Sequence, residues 1–235
     1  MKILVVVPAY NESENILKVI DELQKEKMSY DILVIDDASK DDTLKKIKQT
    51  NVKYVSNPFN MGVSRTTQLG IKYAYEEQYD YVVIFDGDTQ HIAAYIPKLV
   101  DKISKTKCDM VIGSRYLDTE YKQSFFRLIG TKIFRFLIRI SCHKKITDPL
   151  SGMRCLNRKS MNYFISMDNY PDFIDANQII EMLLRDYKIE EVPVKMRYRV
   201  RGVSQHSGFL KPIRYMISMI YTVFVTIILN SGRRK

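Results

Sequence analysis

Four short apolar runs set the frame for the first 85 residues. Residues 2–7, 31–35, 52–55 and 81–85 are dense in aliphatic and β-branched side chains. Runs of this length between polar turns read as strands, with 2–7 and 81–85 as buried ones. Amphipathic segments separate them: about 15 residues ending at Lys27, then Lys40 to Gln49, then about Ser64 to Glu77. Alternating strands and helices predict a mostly parallel, doubly wound sheet. The opening Met1-to-Val7 stretch is too short in apolar residues for a signal peptide and reads as the first strand.

Ligands of such sheets sit outside the C-terminal ends of the strands. Three of the four ends carry Tyr10 and Glu12, Asp36 and Asp37, and Asp86 and Asp88. One acidic strand end is an ordinary solvated turn; three in register point to a site. In Asp86-Gly87-Asp88-Thr89-Gln90-His91, two carboxylates one residue apart leave a buried strand. That costs energy unless they bind something, and hard cations such as Mg²⁺ or Mn²⁺ are held by one or two carboxylates plus substrate phosphates. Gly87 lets a ligand approach the backbone. No Gly-x-Gly-x-x-Gly follows the first strand, which argues against a dinucleotide-binding protein.

The second half is less regular. Ile96 to Lys105 reads as a helix, and residues 110–112 as a short strand leading to Gly113-Ser114-Arg115. Phe125 to Ile140 reads as a helix with apolar positions 126, 129, 133, 137 and 140 on one face. Lys132, Arg135 and Arg139 fall on the other face. This is the pattern of a helix lying in a membrane interface, or of a core helix with a solvated basic side. A loop spans Thr147 to Arg154, a helix Ala176 to Tyr187 and a strand Ile189 to Val194, followed by a basic turn-prone segment, Arg199 to Ser204. Tyr215 to Asn230 holds no charge in 16 residues and has Lys211, Arg214 and Arg233-Arg234-Lys235 around it. A spanning helix needs about 20 apolar residues, so this one suits an interfacial or lipid-dipping helix, with oligomerisation or core packing as the alternative.

Lys and Arg total 37 against 27 Asp and Glu, a net charge of +10. That excess suits nucleotide phosphates or an anionic membrane. Nucleic acid is disfavoured, because no binding motif is present and the basic residues concentrate on the membrane-like helices. The 3 cysteines have no metal-ligand spacing and leave one unpaired, which points to reduced thiols in a cytosolic compartment.

Taken in order, Pro8-Ala9-Tyr10-Asn11-Glu12, Asp36-Asp37-Ala38-Ser39, Asn60-Met61-Gly62, Asp86 to His91, Gly113-Ser114-Arg115, Asp148 to Arg154, Glu191 to Val194 and Arg201 to Ser204 resemble the family 2 glycosyltransferases of GT-A fold. Within that family the chain is most similar to the polyprenyl-phosphate sugar synthases, the dolichol-phosphate mannosyltransferase group. The likeness runs from residue 3 to about 225. It implies a Rossmann-like, mostly parallel α/β sheet flanked by helices, with a GT-A domain over 1–208, interfacial helices in the C-terminal half, and a membrane-associated helix over 209–235. It implies an enzyme that transfers sugar from a UDP- or GDP-sugar to a polyprenyl phosphate, with inversion; the alternative is extension of a saccharide at a hydroxyl acceptor. It further implies that Pro8, Tyr10, Glu12, Asp37, Asp86 and Gly87 line the nucleotide pocket and that Asp86, Asp88 and Gln90 hold Mg²⁺ or Mn²⁺. Arg115, Arg127, Arg201 and Ser204 would hold phosphate, and Asp88 and Asp148 would be catalytic. A lipid phosphate is already an anion and needs no general base; a hydroxyl acceptor would need one, with Asp148 or Asp175 as candidates. His91 is expected to pack or cap, and His143 and His206 to be interfacial or solvated.

The chain departs from the family pattern at Gln178, about where relatives carry a glutamate. Many bacterial relatives also continue into two transmembrane helices. The expected place is therefore the cytoplasmic face of the membrane, peripheral or interfacially anchored, with room for a small membrane protein partner or a homo-oligomer.

Overall fold

The computed structural model describes residues 1–117, 125–166, 176–197 and 210–231; the side chains of 125–127, 210–217, 230 and 231 are not described. In chain order the elements are β1 (Ile3–Ala9), α1 (Ile16–Gln24), β2 (Asp31–Asp36), α2 (Thr43–Ile47), β3 (Lys53–Ser56), α3 (Val63–Glu76) and β4 (Tyr81–Ile84). A 3-10 turn at Ala93–Tyr95 leads into α4 (Ile96–Thr106) and β5 (Met110–Ser114). Then come α5 (Phe125–Cys142), β6 (Arg154–Asn157), α6 (Arg158–Ile165), α7 (Ala176–Leu184), β7 (Ile189–Pro193) and α8 (Leu210–Ser231). The strands form one sheet in the order β3-β2-β1-β4-β6-β5-β7. β1 runs parallel to β2 and β4, β2 to β3, and β5 to β7; β6 is antiparallel to both its neighbours. The mostly parallel sheet expected from the alternating pattern is thus present.

β1 is buried along its whole length because helices cover both faces of the sheet. Its side chains alternate. Leu4 and Val6 join Leu33, Ile35, Ile71, Phe134 and Ile138 on one face; Ile3, Val5 and Val7 join Ile16, Ile20, Leu23, Leu99 and Ile103 on the other. Each fully buried aliphatic side chain contributes about 1.5–3 kcal/mol. Gly70 lets α3 lie close on the sheet: a Cβ there would stand 2.3 Å from Val6 Cγ1.

The structure departs from the sequence expectation in three places. First, α2 starts only at Thr43, because Asp41 Oδ1 accepts the Thr43 N–H at 2.9 Å and holds Lys40 to Asp42 as a loop. Second, β6 and α6 occupy residues expected to be loop or left unassigned. β6 is four residues long with Arg154 and Asn157 at its ends, so its apolar signal is two residues, Cys155 and Leu156. Asn157 also caps α6, its Oδ1 accepting the Ser160 N–H at 2.9 Å.

Third, α5 turns into the core a side other than the apolar face read from the sequence, which the core-packing alternative would have buried. Phe134 and Ile138 enter the core, while Ile129, Phe136 and Ile140 are exposed. Apolar residues lie on more than one side of the helix, so periodicity alone did not choose the buried side. Arg135, expected on a solvated basic face, instead donates from Nε to the Thr147 carbonyl at 2.6 Å and lies 4.3 Å from the Tyr116 ring centre. α8 docks Met219 and Val223 into the same core layer and exposes Tyr221, Phe224, Ile228 and Leu229. Among the described residues, no helix is long and apolar enough to cross a membrane.

Candidate active site

β4 delivers the Asp-x-Asp turn to the C-terminal end of the sheet, beside the ends of β1 and β2. Phe85 continues the ladder by donating its N–H to the Val6 carbonyl at 3.0 Å. Gly87 then passes close to β1, where a Cβ would stand 3.2 Å from the Pro8 carbonyl oxygen. Thr89 takes a left-handed φ of 66°, and the Gln90 N–H donates to Asp88 Oδ1 at 3.0 Å, closing the turn.

His91 lies buried beneath this turn. Its Nδ1 accepts the Asp86 N–H at 3.1 Å, and Nε2 stands 3.4 Å from Asp86 Oδ2. Burial lowers its pKa from 6.5 to about 4, with Arg115 lowering it further and the charges of Asp88 and Asp148 opposing. His91 is therefore neutral and packs under the loop, edge-on to Phe85, as the sequence suggested.

The donor atoms suit a hard cation. Asp86, Asp88 and Gln90 offer oxygen atoms, which Mg²⁺ and Mn²⁺ prefer. Among the described residues, no group of three or more His, Cys, Asp or Glu could hold an ion on its own. Such a set fits a cation that takes its remaining ligands from a diphosphate, rather than one in an all-protein cage.

The loops after β1 and β2 are stitched together. The Asn11 N–H donates to Ser39 Oγ at 3.0 Å, the Lys40 N–H to Asn11 Oδ1 at 2.8 Å, and the Glu12 N–H to Thr43 Oγ1 at 2.8 Å. Pro8 is buried and Tyr10 half-buried at this junction. Glu12 holds Asn15 Nδ2 at 2.7 Å. Asp37, expected against the base or ribose, has an internal task. Its carboxylate accepts Asn57 Nδ2 at 2.8 Å, the Met61 N–H at 2.9 Å and the Gly62 N–H at 2.8 Å. The Asn60-Met61-Gly62 motif is thus the partner that folds onto Asp37.

Arg115 directly follows β5; its guanidinium forks onto Asp148 at 2.7 and 2.8 Å, with the Arg115 N–H adding 3.0 Å. Asp148 is fully buried. A carboxylate held by three donors is an orienting group, which bears on the expectation that it acts as a base. Glu191, in the middle of β7, holds the loop by accepting the Thr147 N–H at 2.7 Å and the Asp148 N–H at 2.8 Å. Burial raises the Glu191 pKa, and these hydrogen bonds oppose the rise.

Glu191 stood in a quoted motif without a role; its place as a loop anchor needed the partner strand. Gly152 was also unremarked, yet a Cβ there would come within 2.8 Å of Asp86 Oδ2. Arg127 has no described side chain, and Asp175, Arg201 and Ser204 lie outside the described residues. Gln178 is buried in α7, its amide without a hydrogen-bond partner.

With this geometry in hand, comparison with known proteins is direct. Residues 4–164 match the model of the family described as glycosyl transferase family 2. A dolichol-phosphate mannosyltransferase of Pyrococcus furiosus is 31% identical over 220 residues, covering 88% of this chain and 60% of the relative. A UDP-N-acetylglucosamine–dolichyl-phosphate N-acetylglucosaminyltransferase of Methanococcus voltae is 28% identical over 232 residues, covering 88% of this chain and 92% of the relative. The crystal structure of glucosyl-3-phosphoglycerate synthase from Mycobacterium tuberculosis with Mn²⁺, UDP-glucose and phosphoglyceric acid matches with a TM-score of 0.69 at 20% identity, over 98% of this chain and 80% of that one.

Proposed function

The chain belongs to glycosyltransferase family 2, and from that premise we propose that it moves a sugar from a nucleoside-diphosphate sugar to a polyprenyl phosphate at the cytoplasmic face of a membrane. The observation that carries the donor half is that the acidic turn after β4 stands at the sheet end where β1 and β2 also finish, with the Asp148-to-Arg154 loop so close that a Cβ on Gly152 would come within 2.8 Å of Asp86 Oδ2. The acceptor half draws support from the two dolichyl-phosphate relatives and from the exposed apolar faces of α5 and α8.

In this reading Asp86, Asp88 and Gln90 would hold Mg²⁺ or Mn²⁺, which when bound neutralises charge growing on the leaving diphosphate. Pro8, Tyr10, Glu12 and Gly87 border the nucleotide, and Asp37 shapes its pocket by fixing residues 57–62. Arg115 supplies positive charge near the diphosphate, with Asp148 fixing its orientation. Arg127, Arg201 and Ser204 are proposed phosphate contacts by family likeness alone. A phosphate acceptor attacks as an anion, so no proton needs to be removed, and positioning and charge stabilisation carry the rate. The hold of Asp148 on the Arg115 guanidinium gives that carboxylate an orienting part in this scheme. The Phe136, Ile140, Phe224 and Ile228 side chains, with Lys132 and Arg139 beside them, would rest in the lipid interface.

The test is incubation with radiolabelled UDP- and GDP-sugars, Mn²⁺ and vesicles containing polyprenyl phosphate. A mild-acid-labile monosaccharide phospholipid is expected, and Asp88→Asn should abolish it. An oligosaccharide product would replace the phosphate acceptor with a hydroxyl one. No labelled lipid from any common donor would overturn the proposal.

A further inference from the structure

The segment leaving β7 is tied to the cation-facing turn by contacts that neither the motifs nor the relatives explain. Beyond β7, the Val194 N–H donates to the Ser114 carbonyl at 2.9 Å and keeps the chain against β5. Three residues on, Arg197 reaches across to the turn after β4. Its N–H donates to the Gln90 carbonyl at 2.9 Å, and its own carbonyl accepts Gln90 Nε2 at 3.3 Å. The Arg197 guanidinium forks onto Glu22 of α1 at 2.6 and 3.2 Å. Glu22 Oε1 in turn accepts the Ala93 N–H at 2.9 Å. One ion pair thus spans both flanks of the Gln90-to-Ala93 stretch.

We infer that Arg197 and Glu22 are positioning residues for the amide of Gln90. The inference rests on the reading of Gln90 as a cation ligand given above. A carbonyl oxygen can only accept, so Arg197 draws the –NH₂ end of the Gln90 amide to itself. The amide oxygen is then the end turned away, and oxygen is what a hard cation needs. Without that contact the two ends of the amide are nearly equivalent in shape, and the side chain can present nitrogen instead. The ion pair itself is only partly buried, with Arg197 46% and Glu22 25% exposed. Its direct contribution to stability is therefore small. Its effect falls on where the amide points.

Partners that orient metal ligands are worth roughly 10- to 100-fold in affinity when removed. Arg197→Ala and Glu22→Gln break the clamp from opposite sides. Thermal-shift titration with MnCl₂ at fixed UDP reads cation binding without turnover. Each variant is expected to need about 10-fold more Mn²⁺ for half-maximal stabilisation, and the double variant no more than either single one. The melting temperature without Mn²⁺ and UDP should move little. Unchanged Mn²⁺ midpoints would overturn the inference, as would additive losses in the double variant. Glu22→Gln keeps shape and hydrogen bonding, so it remains readable where Arg197→Ala folds poorly. A wild-type chain that ignores Mn²⁺ and UDP altogether would instead sink the proposed function.

Discussion

Gly152 has no room for a side chain, and the atom in the way is a carboxylate oxygen of Asp86. Gly152→Ala should push that carboxylate aside and weaken Mn²⁺-dependent UDP binding by roughly 10-fold. Gly152 is exposed, so stability should change by less than about 1 kcal/mol; calorimetry and denaturant melts together check both. His91 supports a pH prediction. Its folded pKa, near 4, lies below the ordinary 6.5. A base with a depressed folded pKa gives stability that is complete above the unfolded value and is lost as pH falls through the window from 6.5 to 4. The loss amounts to roughly 3 kcal/mol. Urea midpoints of metal-free protein between pH 7 and 4 should therefore fall more steeply for wild type than for His91→Asn. Parallel curves would remove burial as the cause.

At the scale of elements, α3 lies close on β1 at Gly70. Gly70→Ala would set a methyl against stiff, β-branched Val6. Overpacking of this kind costs about 1–3 kcal/mol, more than the roughly 1 kcal/mol that alanine gains in a helix. A net drop in the urea midpoint is expected; a rise would mean that α3 can slide outward. Elements differ in how far the sequence revealed them. β1, β2 and β4 were legible because both their faces are buried, so their interior residues form unbroken apolar runs. β6 was not, because a short antiparallel insert with polar ends has too little apolar length to register. In α5 the helix was evident but the side that enters the core was not, since apolar residues lie on more than one side of it and its neighbours set the orientation.

At the scale of the molecule, α5 and α8 pack into the same core layer and both leave aromatic and aliphatic side chains outside. Phe136 is 62% and Phe224 52% exposed, and the chain carries a net charge of +10. Phe136→Glu and Phe224→Glu should each reduce co-sedimentation with anionic vesicles by roughly 10-fold, given about 1.5–3 kcal/mol for burying a phenylalanine. Melting temperatures in solution should hold, and added salt should weaken vesicle binding further. Equal sedimentation of the variants would remove these faces from the membrane reading.

The sequence alone determined the alternating architecture and the acidic strand ends, because strand burial and turn chemistry are written in neighbouring residues. It also marked Asp37, Asp148 and Glu191 as parts of motifs. Their working partners were beyond its reach. Asp37 meets residues 57–62 from the next strand end, Asp148 meets Arg115 across 33 positions, and Glu191 holds a loop more than 40 residues away. Which carboxylates stay open to a ligand and which are spent inside the protein is decided by those distant donors, and only the folded chain brings them together.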